Sequence, residues 1–135
     1  MMKMPNKGYA KGARSERELL DILYNRGYSV TRSAGSGVNA LSPDLVAMRK
    51  AECLIIECKA WEKSSLAIGP EQFEKMLEWE ERTRFPVYVA WRMNKLGWFF
   101  LKLYDFKKGK SNYNVTRKKT LEINRTLDEV CANTT

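Results

Sequence analysis

The sequence predicts a single α/β domain, and three observations predict it. Residues 45–48 and 53–56 are short apolar runs on either side of Arg49-Lys50-Ala51-Glu52, the pattern of two strands joined by a turn. Residues 12–26 and 70–84 carry apolar side chains at helical spacing. Residues 86–92 and 98–103 are apolar and aromatic almost throughout, as strands covered on both faces are. A chain of 135 residues fits one domain and is long enough to bury a core.

In chain order, residues 1–11 carry Lys3, Lys7 and Lys11 and read as a flexible basic arm. The first helix follows over 12–26. Leu19, Leu20 and Leu23 form its apolar face, Gly12 or Ser15 caps its start, and Gly27 ends it. Glu16 projects from that stripe; alone, it reads as a first-turn glutamate favoured by the helix dipole. Arg14 and Arg17 are either solvated or turned to phosphate. Residues 27–32 read as a strand. Residues 33–41 are small and flexible, a loop that leads directly into Asp44.

After the paired strands, residues 60–66 read as a mobile connection that offers Trp61 and Lys63 to a nucleic acid. Pro70 opens the second helix, with Phe73, Met76 and Leu77 on it. The strand pair 86–92 and 98–103 turns at 94–97. With both faces apolar, one is expected to lie under a helix and the other against a second subunit. Lys107-Lys108-Gly109-Lys110 and Arg117-Lys118-Lys119 are charge clusters with two readings: most such clusters are solvated surface, and with this net charge some would touch phosphate. Residues 114–116 suit a short edge strand, 127–131 a short helix, and 128–135 a loose tail.

Lys and Arg number 24 against 16 Asp and Glu, a net charge of +8 that favours a polyanionic partner such as nucleic acid. The chain has no histidine, which excludes Ser-His and Cys-His nucleophile schemes and His-ligated zinc. Cys53, Cys58 and Cys131 form no CxxC pair and read as small buried hydrophobes in a reducing compartment. No signal peptide or membrane span is evident, so an intracellular, cytoplasmic or nucleoid-associated protein with no membrane contact is expected.

The chemistry concentrates in residues 42–59. If the two strands pair, Asp44 at the start of the first comes beside Glu57 near the end of the second. Alternation puts Glu57 and Lys59 on one face and turns Cys58 away. Two carboxylates beside a buried hydrophobic pair repel each other and are costly to desolvate. A divalent cation relieves both, and oxygen-only ligation suits magnesium, with manganese as a substitute. Lys59 then stands where charge develops on a phosphate. Glu16 becomes a candidate third ligand. This is the core of a metal-dependent phosphodiesterase.

Pro43-Asp44, twelve residues, then Glu57-Cys58-Lys59 matches the PD-(D/E)xK nuclease pattern. Together with residues 11–19 (KGARSEREL) and 30–36 (VTRSAGS), it resembles the archaeal Holliday junction resolvases. The likeness is strong over 11–59 and continues through Gln72 to about residue 103. It implies a restriction-endonuclease-like fold, with a mixed five-stranded sheet flanked by helices, and a homodimer whose two sites cut opposing strands of a four-way DNA junction. It implies that Glu16, Asp44 and Glu57 bind Mg2+, that Lys59 is the catalytic lysine, and that Ser36 matches a loop serine important in some members. Arg17 and Arg32 match basic motif positions. With Lys11, Arg14, Ser33, Ser36 and Lys63 they make up the expected DNA-binding set. Gln72 matches a motif glutamine, and a sliding clamp is a partner by family analogy. Cys58 departs from the valine or methionine found in relatives, on the side facing away from the site. Three alternatives stand beside this reading: a related nuclease acting on ordinary or damaged duplex, a non-cleaving junction-binding protein, and a basic domain whose charges are paired only for stability.

Overall fold

The computed structural model describes residues 7–33 and 42–132, except for the side chains of residues 7–13 and 132. Helix α1 (Lys7–Asn25) starts before the expected position, so the backbone of residues 7–11 is helical rather than part of a flexible arm. Gly8 and Gly12 each cost a helix about 1 kcal/mol and hide its first turns, but Ala10 and Ala13 among them are strong helix formers. The other end is as expected. Gly27, at φ 92°, makes a left-handed cap in which Gly27 N–H donates to Tyr24 O at 3.0 Å and Tyr28 N–H to Leu23 O at 3.1 Å. Leu23 and Tyr28, both buried, close the cap with an apolar contact layer.

The main sheet has the order β1-β2-β3-β5-β6, formed by β1 (Ser29–Arg32), β2 (Leu45–Arg49), β3 (Glu52–Ala60), β5 (Val87–Met93) and β6 (Gly97–Lys102). All neighbours are antiparallel except β3 and β5, so the sheet is mixed. The parallel pair is joined by a crossover through β4 (Ser65–Ile68) and helix α2 (Pro70–Thr83). In the β2–β3 hairpin, Arg49 pairs with Glu52, leaving Lys50 and Ala51 as a two-residue turn with φ of 49° and 67°.

A second sheet, β4-β8-β7, uses β7 (Lys107–Lys108) and β8 (Tyr113–Thr116). Two expectations change here. Residues 60–66 are not a mobile connection, since β3 runs to Ala60 and β4 starts at Ser65. Leu66 and Ile68 are buried on one side with Ala67 exposed between them, an alternation too short to stand out in the sequence. Residues 114–116 lie in the middle strand of this small sheet rather than at an edge.

The main sheet is covered on both faces by the chain itself. On one face Ile55, Val87, Val89, Trp91 and Leu101 pack with Phe73 and Met76 of α2 and with Leu66 and Val115 of the small sheet. On the other, Leu45, Ala47, Leu54, Ile56, Ala90 and Phe100 meet Leu19 and Leu23 of α1 and Val130 and Cys131 of α4 (Leu127–Ala132). The apolar strands β5 and β6 therefore need no second subunit to cover them, contrary to the expectation. The loose tail is corrected over residues 128–132, because α4 supplies Val130 at 1% exposure and Cys131 at 6% to that layer; residues 133–135 lie outside the described residues. Helix α3 (Arg117–Ile123) precedes it, and Arg125 between them donates to Phe100 O at 3.1 Å while Phe100 N–H donates to Arg125 O at 2.9 Å.

Candidate active site

Register places the two central carboxylates. Leu45 pairs with Ile56, so Asp44, one residue before β2, lies opposite Glu57 on β3. Leu45 and Ala47 point into the α1 layer, which turns Val46 toward α2 and puts Glu57 and Lys59 on that side with Ile55. The backbone N–H of Cys58 donates to Asp44 Oδ2 at 2.8 Å, fixing that carboxylate against the strand that carries Glu57. Ser33 N–H donates to Asp44 O at 3.0 Å, so residues 33 and 44 meet.

Helix α2 supplies the next group. Its spacing sets Gln72, Met76 and Trp79 along one side, and these residues with Ile55, Glu57 and Val87 enclose a small cavity beneath the site. Gln72 Nε2 donates to Glu57 Oε2. Gln72 Oε1 lies 3.5 Å from Lys59 Nζ, at the long limit of a hydrogen bond. One amide thus touches both Glu57 and Lys59. Glu57 is 5% exposed, and its Oε1 is buried with no hydrogen-bond partner.

The electrostatics follow from that burial. Desolvation pushes the Glu57 carboxyl up to about 9; the neighbouring Asp44 carboxyl adds to the rise and Lys59 opposes it. Glu16 is raised too, first by burial and then by Asp44, with Arg32 pulling the other way. Arg32 Nε lies 3.7 Å from Glu16 Oε1. The Cys58 thiol, on the α1 side, is raised by desolvation and then by Asp44, Glu16 and Glu57. It belongs to the apolar layer, as its alternation requires.

The structure therefore brings Asp44, Glu57, Lys59 and Gln72 together and leaves Glu16 within electrostatic reach of Asp44. Among the described residues, no three His, Cys, Asp or Glu side chains converge as a ready-made cation cage. Arg32, expected at phosphate, is engaged by Glu16. Arg14 and Arg17 are exposed on α1, and Ser33 is half-buried just after β1. Lys63 is exposed, with its ammonium 5.0 Å from the Trp61 ring centroid. Ser36 and the Lys11 side chain lie outside the described residues.

One contact had no local signal in the sequence. Glu18 of α1 accepts from Arg92 Nε at 3.1 Å and from Trp98 Nε1 at 3.0 Å, tying the helix that carries Glu16 to β5 and β6. Its partners lie 74 and 80 residues away, so no spacing rule could have found it.

Fold and site define a restriction-endonuclease-like domain carrying a PD-(D/E)xK constellation. A family model described as archaeal Holliday junction resolvase (Hjc) matches residues 7–135, and the chain belongs to that family. Over 87 residues it is 42% identical to the crossover junction endodeoxyribonuclease Hjc of Methanocaldococcus jannaschii, an alignment covering 64% of this chain and 62% of that protein. To the Archaeoglobus fulgidus protein of the same name it is 29% identical over 107 residues, 78% of this chain and 79% of that one. The solved structure of Archaeoglobus fulgidus Hjc superposes with a TM-score of 0.80 at 24% identity, covering 90% of this chain and 96% of that chain. The bacterial homing endonuclease I-Ssp6803I gives a TM-score of 0.58 at 14% identity, over 82% and 78% of the two chains. These two superpositions show the shared fold. Among the described residues, no helix is long and apolar enough to cross a membrane.

Proposed function

We propose that this chain is a crossover junction endodeoxyribonuclease that hydrolyses phosphodiesters on opposing strands of a four-way DNA junction, with Mg2+ as cofactor. The observation that carries the chemistry is the facing pair of Asp44 and Glu57, one of whose oxygens is buried and unpartnered. The donor set fits a hard divalent cation: carboxylate oxygens at the site, and no imidazole anywhere in the chain. Asp44 and Glu57 would hold the ion directly, leaving water a large share of its shell, and Glu16 would act from beside Asp44. A bound cation supplies positive charge for the phosphate and lowers the pKa of a water.

The chain's own groups do the rest. Cys58 N–H sets the angle of the Asp44 carboxylate. Gln72 aligns Glu57 and holds the Lys59 ammonium beside it. Lys59 meets the negative charge that builds on the phosphoryl oxygens. Burial of Glu57 keeps water from competing for its second oxygen. The names borne by the relatives supply the branched substrate. A homodimer rests on the same likeness and on the match between a two-fold assembly and a two-fold substrate, since no uncovered sheet face argues for it.

The test is paired strand cleavage. A synthetic four-way junction and a linear duplex of matched sequence are incubated with the protein, with Mg2+ or with chelator. Symmetric, Mg2+-dependent nicks on the junction alone are expected. Equal cutting of the duplex would replace this reading with a general nuclease, and tight junction binding without cutting would make the protein architectural.

A further inference from the structure

The positive charge of this chain is not spread evenly. Residues 102–119 hold seven basic residues and a single acidic one, whereas the whole chain nets only +8. That lone acid, Asp105, is already matched by Arg125 Nη1 at 2.8 Å. The sequence presents the charge as two separate clusters, and folding merges them. Antiparallel pairing of β7 with β8 sets Lys107 opposite Asn114, and α3 leaves the end of β8 directly. Lys107, Lys118 and Lys119 consequently line one concavity of about 430 Å³, with Asn114 and Thr116 in its wall and Glu122 at its side. Thr116 holds α3 in place, its side chain accepting from Lys119 N–H at 3.0 Å. Lys107, Lys118 and Lys119 are all exposed.

This surface is anchored to the site. Ser65 pairs with Thr116, and Arg117 N–H donates to Ser64 O at 2.8 Å. Ser64 follows Lys63, five residues after Lys59. Even fully extended, a path of that length spans at most about 18 Å, roughly five nucleotides of a DNA strand.

We infer that the β7–β8–α3 corner is a second phosphate-binding surface that takes the backbone of a DNA arm beyond the cleavage site. The inference rests on the proposed function for its substrate and on the merged charge for its place. Three exposed lysines that form no ion pair among the described residues, with Glu122 and the Arg125-held Asp105 as the acids beside them, lie on a fixed corner joined by a short chain path to a phosphodiesterase centre, and they suit the evenly spaced charges of a nucleic-acid backbone. They contact no base in this reading, so the surface adds affinity and orientation without sequence preference.

The experiment uses the full-length triple variant K107Q/K118Q/K119Q, with the charge-conserving K107R/K118R/K119R as its control. Binding of a fluorescent four-way junction and of a matched linear duplex is titrated in chelator between about 50 and 200 mM salt. Single-turnover cleavage is measured separately at saturating protein. The glutamine variant should bind the junction about tenfold or more weakly at 0.1 M salt. Its plot of log affinity against log salt should lose two to three units of slope, about one per phosphate contact. The arginine variant should keep the parental slope, and saturated cleavage should be unchanged in both. An unchanged slope in a folded glutamine variant overturns the inference and leaves the surface for an acidic protein. Loss of saturated cleavage along with binding overturns it as well, by placing the lysines in the site itself. If the parent prefers duplex to junction, the proposed function fails while the slope comparison on duplex still decides the surface.

Discussion

The N–H of Cys58 donates to Asp44 Oδ2, so the carboxylate before β2 is oriented by the backbone of β3. Glu57 is the residue next to that donor. Asp44 is therefore oriented by the peptide unit that follows Glu57 while Gln72 orients Glu57 itself, so both acids are held in place before any ligand arrives.

Removing the acids or the lysine should separate chemistry from binding. Asp44→Ala, Glu57→Ala and Lys59→Ala are each expected to lower junction cleavage by about 10³-fold or more, with junction affinity in chelator changed little. Native gel binding beside a cleavage time course checks this. Full activity in any one of the three would remove that residue from the mechanism.

Stability of the metal-free protein should depend on pH through Glu57. Its folded pKa, about 9, lies above its ordinary value of 4.5. A raised acid contributes stability that is complete below about pH 4.5 and is lost as pH climbs toward 9. Melting in chelator from pH 5 to 9 should show that decline. Glu57→Gln keeps an acceptor for Gln72 and cannot ionise. It should flatten the curve and exceed the parent at pH 8.5 by about 1–3 kcal/mol. Parallel curves for the two proteins would count against a buried protonated Glu57.

Gln72 should be worth most in turnover. Gln72→Leu keeps the packing volume near Met76 and deletes both amide contacts, to Glu57 and to Lys59. A loss of about 10- to 100-fold in single-turnover rate is expected, with half-saturation by junction nearly unchanged. A change confined to junction affinity would mean that Gln72 serves the substrate and not the site.

The β2–β3 turn carries strain that one substitution relieves. Lys50 and Ala51 both have positive φ, a conformation that L residues adopt at a cost. Ala51→Gly should raise stability by about 1 kcal/mol, seen as a higher denaturant midpoint with an unchanged m-value.

Arg125 should be a stability position. Its side chain is 15% exposed, and its guanidinium holds the Asp105 carboxylate, on a side chain 9% exposed, at 2.8 Å. Arg125→Ala removes the counter-ion of that carboxylate and leaves it only the Lys102 N–H, 2.8 Å from the same oxygen, and a loss of about 2–3 kcal/mol is expected in equilibrium denaturation.

Much of this was legible in the sequence because the signals are local. Two apolar runs around Lys50-Ala51 fix a hairpin, and a hairpin fixes which residue faces Asp44. Gly27 and Pro70 mark helix ends for steric reasons that need no tertiary context. What escaped depends on distant partners. The start of α1 was hidden by two glycines. Strand β4 is defined by β8, some fifty residues on, since four residues with two buried positions carry too little periodicity alone. The lone pair of apolar strands suggested a missing subunit because nothing in residues 86–103 shows that α4 returns to cover them. Gln72 could be matched to a family position, but its double contact depends on how α2 crosses β3.

The hydrogen bonds that Arg125 makes to both backbone groups of Phe100 have a further effect. β6 is the outermost strand of its sheet, and an outermost strand is a template on which a foreign chain can add and fibrils can grow. Here the polypeptide doubles back and occupies the middle of that template, at Phe100, itself. A strand edge of this kind thus carries its own protection against strand-by-strand aggregation at Phe100.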